Sequence, residues 1–271
     1  MAVSTLGVAL ITGASGGIGA MYADRLARRG YDLILVARNE ERLEEVATRA
    51  RNVGGNVVET IAADLNSATD LRMLEARLRD DASVSVLVNN AGFGSASPLL
   101  QSNVDDMERM IGVNITALTR LTYAAAPAFV ARGGGSIINI SSTVAIGLEV
   151  LNGVYGASKA YVLALTQSLD HELASKGLRV QAVLPGATAT DFWKVAGVGG
   201  HQNLPAEIVM RADALVDAAL MGFDAGEVVT IPLLQDAGEW DAYDDARKAL
   251  AGHLGGSLPA PRYLVQTSVA A

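Results

Sequence analysis

Short apolar runs that are nearly continuous, rather than alternating with polar residues, constrain the fold of this chain most. Leu33-Ile34-Leu35-Val36 and residues 84–88 show the pattern. Strands buried on both faces have this composition, and they occur in parallel sheets covered by helices on both sides. Seven short β-rich runs, these two among them, are predicted to be strands, at residues 7–11, 32–36, 56–62, 83–89, 136–141, 179–184 and 227–231.

Amphipathic stretches with helical spacing separate these runs. They predict helices at residues 18–29, 39–52, 67–80, 113–132, 156–176 and 205–222. The alternation of strand and helix, with right-handed crossovers, predicts one α/β domain over residues 1–271, built on a doubly wound parallel sheet of about seven strands. The tail at 252–271, rich in Gly, Ser, Pro and Ala, is expected to be loosely ordered or to pack on a neighbouring subunit.

Composition narrows the classes of partner. A net charge of −8 argues against a nucleic acid, because phosphate neutralisation needs clustered Lys and Arg. The absence of Cys excludes disulfides, thiolate metal sites and a Cys nucleophile, and the three His residues lack metal-ligand spacing. The apolar run at 7–11 is too short for a signal peptide or a membrane span, so we expect a cytoplasmic protein without a membrane partner.

A glycine-rich run, Thr12-Gly13-Ala14-Ser15-Gly16-Gly17-Ile18-Gly19, joins the first predicted strand to the first predicted helix. Glycines there allow a tight turn and a close approach to a pyrophosphate, whose charge is stabilised at the helix N-terminus. Such glycines also occur at ordinary strand–helix corners. Their position in the first β-α-β unit favours a dinucleotide site.

Arg38 follows the second predicted strand, where an NAD-selective site places an acid for the ribose 2′-hydroxyl. A guanidinium suits a 2′-phosphate instead and can stack on adenine, so the sequence favours NADP(H) over NAD(H). Glu40 and Glu41 lie close by, and the alternative is that Arg38 is a plain surface charge.

Tyr155 and Lys159 are four residues apart and share one face of a predicted helix. An ammonium group beside a phenol favours the phenolate, and it lowers the phenol pKa toward the range that acid–base catalysis requires. Ser142, upstream, could hydrogen-bond a substrate oxygen on which charge develops. A Tyr and a Lys four residues apart also occur by chance, because both residue types are common. The pair is therefore evidence for a catalytic site only together with the motifs around it.

Together these motifs resemble the short-chain dehydrogenase/reductase family, in family order and from residue 7 to about residue 231. The matching residues are 12–19, Asp64, Leu65, Asn89, Asn90, Ala91, Gly92, Asn114, Ser142, Tyr155, Lys159, Pro185, Gly186, Thr188 and Thr190. The resemblance implies a Rossmann fold and an NADP(H)-dependent enzyme that reduces a ketone or aldehyde, or oxidises the alcohol.

The resemblance also implies a role for each residue. Tyr155 would give a proton to the carbonyl oxygen, and Ser142, selected over Ser141 by the family spacing to Tyr155, would steady that oxygen. Lys159 would bind the nicotinamide ribose and lower the Tyr155 pKa, and Asn114 would hold a water that relays protons from Lys159. The implied cofactor contacts are Gly13, Ser15, Gly16, Gly17, Ile18, Gly19, Arg38, Asp64, Leu65, Asn90, Ala91, Gly92, Tyr155, Lys159, Pro185, Gly186, Thr188 and Thr190.

Three segments are expected beside the substrate: 93–100, 144–154 and 192–204, with residues 188–205 forming a lid. Their apolar side chains predict a small, largely apolar substrate. The predicted substrate contacts are Phe93, Val144, Leu148, Phe192 and Trp193. For Trp193, a role in packing or subunit contact is an equal alternative.

Two other functions stay open. A β-ketoacyl reductase of fatty-acid or polyketide type would use a basic rim for an acidic carrier protein, to which Arg132, Lys176 and Arg179 could contribute. A redox-sensing regulatory protein would bind NADP(H) without turnover, and the complete catalytic set argues against it. The resemblance further implies a homodimer or homotetramer, formed through the helices at 113–132 and 156–176.

Overall fold

Seven strands form one parallel sheet in the computed structural model, which describes residue 4 and residues 6–54 and 56–263. The strands are β1 Val8–Thr12, β2 Asp32–Ala37, β3 Val58–Ala62, β4 Val84–Asn89, β5 Gly135–Ile140, β6 Leu178–Val183 and β7 Val229–Thr230. Their order is β3-β2-β1-β4-β5-β6-β7. The chain direction across the sheet reverses between β1 and β4, and such a point opens a ligand crevice beyond the carboxyl ends of the strands. The predicted α/β fold class is confirmed.

Helices cover both faces of the sheet. The helices of this part of the chain are α1 Gly17–Arg28, α2 Glu40–Gly54, α3 Ala68–Asp80, α4 Val104–Ile111, α5 Leu118–Ala131, α6 Gly153–Leu173, α7 Phe192–Val195 and α8 Ala212–Ala225. Alternate residues of a strand face opposite sides of a sheet. In β2, Leu33 and Leu35 join one buried cluster with α1, α2 and α8, whereas Ile34 and Val36 join another with α3 and α5. Both faces are therefore apolar, which explains the continuous runs in the sequence.

The predicted helix at 113–132 starts too late. Helical structure begins at Val104, and a π-helical segment, Gly112–Ala117, joins α4 to α5. The side chain of Asn103 accepts a hydrogen bond from the Asp105 N–H at 2.8 Å and so caps the N-terminus of α4. The predicted helix at 205–222 instead starts too early, because α8 begins at Ala212, after short 3-10 turns.

The chain divides into two compact units, and the sheet and every predicted site residue lie in the first, which ends at Pro232. The second unit, from Leu233, contains an unpredicted helix, α9 Ala237–Ala251, in which Asp244 pairs with Arg247 and Lys248. A short 3-10 turn, Pro261–Tyr263, follows. Of the predicted tail at 252–271, residues 264–271 lie outside the described part.

Candidate active site

The glycine-rich turn lies between β1 and α1. Gly13 and Gly17 have φ of 66° and 53°, a region that side chains disfavour. A Cβ on Gly19 would lie 2.4 Å from the Gly13 carbonyl oxygen, so this contact also requires glycine. Gly16 gives α1 no side-chain cap, which leaves the first N–H groups of the helix facing the turn. The backbone here fits a pyrophosphate.

The hydroxyl of Thr12 fixes the end of β4 beside this turn. It accepts hydrogen bonds from the N–H groups of Asn90 and Ala91, both at 3.0 Å, and donates to the Val88 carbonyl at 3.3 Å. The Asn90 side chain donates in turn to the carbonyls of Thr12 and Gly13. The predicted cofactor residues of the two strands are therefore brought to one edge of the sheet.

Arg38 and Asp64 lie at the same edge, just beyond β2 and β3. Arg38 is exposed, and within the described residues it has no hydrogen bond or ion pair. The Asp64 carboxylate accepts from the Asn66 N–H at 2.9 Å, and its backbone N–H donates to Asp70 at 2.9 Å. Leu65, next along the chain, is buried. Arg38 is thus the more available of the two charged groups.

Ser142 and Tyr155 come together at the end of β5 and the first turn of α6. Both are buried, and the Ser142 side chain is near enough to the Tyr155 phenol to act as a hydrogen-bond partner that lowers its pKa. The Ser142 hydroxyl also lies 3.2 Å from the Pro185 carbonyl oxygen. The neighbouring Ser141 hydroxyl donates instead to the backbone carbonyl of Lys159 at 2.7 Å. Of the two serines, only Ser142 is placed to touch a substrate oxygen bound at Tyr155.

Lys159 and Asn114 surround a small polar space at Gly92. Lys159 Nζ donates to the Ile140 carbonyl at 2.8 Å. Asn114, in the π-helical segment, exchanges hydrogen bonds of 2.9 and 3.1 Å with the backbone of Phe93. A Cβ on Gly92 would lie 3.0 Å from Asn114 Oδ1 and 3.5 Å from Lys159 Nζ, so a side chain there would fill the space. The absence of a side chain at Gly92 leaves the Lys159 ammonium able to meet a ribose hydroxyl of a nicotinamide cofactor.

The pKa values of the two central groups move apart. Burial raises the pKa of Tyr155 to about 12, although the hydrogen bond with Ser142 acts in the opposite direction. Burial lowers the pKa of Lys159 to about 8. The expected lowering of the Tyr155 pKa by Lys159 is therefore wrong for the protein alone, because desolvation of the phenolate dominates. Tyr155 is a neutral phenol at neutral pH.

An apolar cluster covers Tyr155. Met107 and Met110 of α4 and Val144 are buried with it, and Phe93, Leu151, Val154 and Phe192 pack against them. The Phe192 ring centroid lies 5.5 Å from that of Tyr155, and a Cβ on Gly94 would lie 2.5 Å from Phe192 Cζ. The two methionines and Gly94 were not predicted. The Asn103 cap before an amphipathic stretch was the signal that could have placed the methionines.

Trp193 anchors the predicted lid, residues 188–205, through a hydrogen bond and a ring contact. Its indole N–H donates to the Thr188 carbonyl at 2.9 Å, and its ring packs edge-on against Phe192 with the centroids 5.2 Å apart. Thr190 meets the glycine-rich turn, since its Cγ2 would lie 3.1 Å from a Cβ on Gly17. Leu148 is exposed and lies outside the cluster at Tyr155. The predicted lid segment, residues 188–205, thus contacts both the glycine-rich turn and Tyr155.

Two kinds of feature are missing from the described part of the chain. It holds no group of three or more acidic, His or Cys side chains that could bind a metal ion. It also has no helix with the length and hydropathy needed to cross a bilayer.

Comparison with known proteins agrees with this geometry. Residues 7–197 match the short chain dehydrogenase family. A short-chain dehydrogenase from Sphingobium yanoikuyae in complex with NADPH has a TM-score of 0.92 and 49% identity, covering 95% of this chain and 100% of that one. A bulky-bulky ketone specific alcohol dehydrogenase from Comamonas testosteroni has a TM-score of 0.88 and 45% identity, covering 96% and 99%.

A relative found by sequence is the very-long-chain 3-oxoacyl-CoA reductase-B of Danio rerio. It is 34% identical over 200 residues, which cover 72% of this chain and 64% of that protein. The family match spans most of the chain and includes the turn, Ser142, Tyr155 and Lys159. The chain belongs to the short-chain dehydrogenase family of oxidoreductases.

Proposed function

We propose that this protein is an NADP(H)-dependent oxidoreductase that interconverts a ketone bearing apolar substituents and the corresponding secondary alcohol. One observation carries the proposal. Ser142 and Tyr155 are buried close together, with an apolar cluster packed on Tyr155 and a glycine-rich turn suited to a dinucleotide at the same edge of the sheet. A carbonyl oxygen bound at the two hydroxyls would have its substituents in that cluster.

The side chains divide the proton chemistry between them. The nicotinamide, when bound, supplies the hydride or takes it up. Tyr155, neutral at neutral pH, gives its proton to the carbonyl oxygen as the alcohol forms. The Ser142 hydroxyl, turned from the Pro185 carbonyl, donates a second hydrogen bond to that oxygen.

Lys159 and Asn114 complete the site behind Tyr155. With a pKa of about 8, Lys159 can lose and regain a proton near neutral pH and can donate to the ribose beside Gly92. The water predicted at Asn114 stays a prediction, because its side chain is already hydrogen-bonded to Phe93 and Ser158. These hydrogen bonds fix the segment that carries Phe93.

Support for NADP(H) comes from Arg38 at the end of β2. Its exposed guanidinium is available to a 2′-phosphate, and the relative from Sphingobium yanoikuyae was solved with NADPH. Support for an apolar ketone comes from Met107, Val144 and Phe192 and from the relative described as specific for bulky-bulky ketones. A homodimer or homotetramer remains a prediction.

A 3-oxoacyl thioester reductase is the second candidate, favoured by the relative from Danio rerio. The predicted basic rim for a carrier protein is wrong. Arg132, Lys176 and Arg179 precede or begin strands β5 and β6, so they lie at the edge of the sheet opposite Tyr155. Arg132 and Arg179 also donate to backbone carbonyls, those of Leu78, Arg79, Asp81, Val84 and Phe223.

The test is consumption of NADPH and of NADH by the purified chain with three carbonyl classes. These are a small methyl ketone, a ketone with two aromatic or long alkyl substituents, and an acetoacetyl thioester. We expect fastest turnover of the second class with NADPH. Preference for the thioester would favour the second candidate, and cofactor binding without turnover of any class would favour the redox-sensing protein.

A further inference from the structure

An ion pair spans the mouth of the cofactor crevice. Arg42 Nη2, in the first turn of α2, lies 2.9 Å from Asp191 Oδ2, just before α7. The same guanidinium lies against the glycine-rich turn, since a Cβ on Gly16 would be 2.9 Å from Arg42 Nη2. One cation therefore contacts the turn, the lid and the corner after β2.

We propose that Arg42 is a second ligand, beside Arg38, for the 2′-phosphate of NADP(H), and that Asp191 holds Arg42 until the phosphate displaces it. The inference rests on the proposed function, because it takes NADP(H) as the cofactor. It assigns Arg42 and Asp191 together as determinants of cofactor specificity.

Position supports the assignment. In a dinucleotide fold the ribose 2′ substituent lies at the carboxyl end of the second strand. The Ala14 N–H donates to the Val36 carbonyl at 3.2 Å, which holds the glycine-rich turn against that end of β2. The Arg42 N–H donates to Asn39 Oδ1 at 2.8 Å, which fixes the first turn of α2 at the same corner. Arg38 and Arg42 thus lie on either side of the short bend between β2 and α2.

The strength of the ion pair permits the exchange. The side chains of Arg42 and Asp191 are 50% and 54% exposed, and pairs of that kind shift an equilibrium by about fivefold at most. A phosphate monoester carries about −1.5 to −2 charges and three acceptor oxygens, against one charge on Asp191. A dianionic phosphate between two guanidiniums therefore competes well with the carboxylate.

Asp191 keeps a partner after the exchange. Lys194 Nζ lies 3.3 Å from Asp191 Oδ1, and hydrogen bonds from Arg42 and then Lys194 lower the Asp191 pKa. Asp191 therefore stays ionised, and Lys194 remains beside it when Arg42 turns to the phosphate. NADH has a hydroxyl in place of the phosphate and gains nothing from displacing Asp191.

The test measures dissociation constants of NADPH and NADH by cofactor fluorescence, without substrate, for the wild type, Arg42→Ala and Asp191→Asn. Arg42→Ala should weaken NADPH about tenfold or more and leave NADH within about twofold. Asp191→Asn should tighten NADPH by about two- to fivefold, with NADH unchanged. Arg49→Ala, which removes an exposed arginine from the same helix, should change neither constant.

The outcomes separate this inference from the function on which it rests. Wild type that binds NADPH no better than NADH would refute the cofactor assignment itself. An NADPH dissociation constant that changes no more in Arg42→Ala than in Arg49→Ala would overturn the role of Arg42 alone. Weaker NADPH binding by Asp191→Asn would overturn the exchange, since it would mean that the ion pair closes over bound cofactor. In the wild type, adenosine 2′,5′-bisphosphate should compete with NADPH and adenosine 5′-monophosphate should not. In Arg42→Ala the competition by the bisphosphate should be lost.

Discussion

Lys159 Nζ lies 5.7 Å from the centre of the Tyr155 ring, and both side chains are buried. Burial raises the pKa of the phenol to about 12 and lowers that of the ammonium to about 8. Each group is thereby biased toward its neutral form, which for Tyr155 is the form that can protonate a carbonyl oxygen. The arrangement suits reduction, with Lys159 able to exchange protons near neutral pH.

The buried ammonium should make stability depend on pH. Below a pH of about 8, Lys159 is protonated in both the folded and the unfolded chain, and the folded state bears the cost of burying the charge. Between about 8 and 10.5 the unfolded chain binds more protons, so the folded state gains stability as pH rises. In Lys159→Met this gain is absent.

Urea unfolding at neutral pH and at a pH of about 10 measures the effect. The wild type should gain up to about 3 kcal/mol relative to Lys159→Met across that interval. Lys176→Met removes an exposed lysine and should keep a constant difference from the wild type. A constant difference for Lys159→Met as well would mean that the Lys159 pKa is not lowered by burial.

The contact of Gly94 with Phe192 should control the space above Tyr155. A Cβ at Gly94 would lie 2.5 Å from Phe192 Cζ and 3.1 Å from Tyr155 Cδ2, so Gly94→Ala must displace the Phe192 ring. We expect a loss of about 1–3 kcal/mol in the free energy of unfolding and a raised KM for ketones. Adding Phe192→Leu should recover much of the loss, and additive effects of the two substitutions would contradict direct contact.

The Thr12 hydroxyl, and not the volume of its side chain, should hold the glycine-rich turn in place. Thr12→Val leaves the N–H groups of Asn90 and Ala91 without their acceptor, which should cost about 1–3 kcal/mol of unfolding free energy and weaken NADPH binding. Thr48→Val, an exposed position on α2, serves as the control in chemical denaturation and cofactor titration. Equal, small effects at both positions would argue against the role of Thr12.

Asn152 should position Tyr155 by capping α6. Its Oδ1 accepts from the Val154 N–H and its Nδ2 donates to the Ser97 carbonyl, both at 2.8 Å. Asn152→Ala should lower kcat and cost about 1–2 kcal/mol in unfolding free energy, with Asn152→Asp restoring the cap alone. Asn103→Ala removes the equivalent cap of α4 and should cost stability with less effect on kcat. Parallel loss of kcat in both alanine variants would contradict a positioning role.

What the sequence could predict followed from local signals. Continuous apolar runs such as β2 identified the parallel sheet, because both faces of each strand are covered. The predicted strand at 227–231 is longer than the two residues of β7, and α4 was missed although Asn103 caps its N-terminus. Local periodicity does not locate a π-helical segment either.

The rest of the site depends on contacts between distant parts of the chain. Arg42 and Asp191 are 149 residues apart, and their pairing exists only once the lid reaches the glycine-rich turn. The direction of the Tyr155 pKa shift was wrong for the same reason, since burial comes from Met107, Val144 and Phe192 on three separate segments. The motifs identified the reactive groups, but their environment required the fold.

The central claim, that Tyr155 protonates a ketone during reduction, is tested most directly by single-variant kinetics. The measurement is kcat for NADPH-dependent reduction of an apolar ketone by wild type and Tyr155→Phe, with NADPH affinity determined in parallel. Tyr161→Phe, which removes another hydroxyl from α6, is the control. We predict a fall in kcat of about 100-fold or more for Tyr155→Phe, with NADPH affinity within about twofold of wild type. Turnover by Tyr155→Phe equal to that of the Tyr161→Phe control would contradict the account.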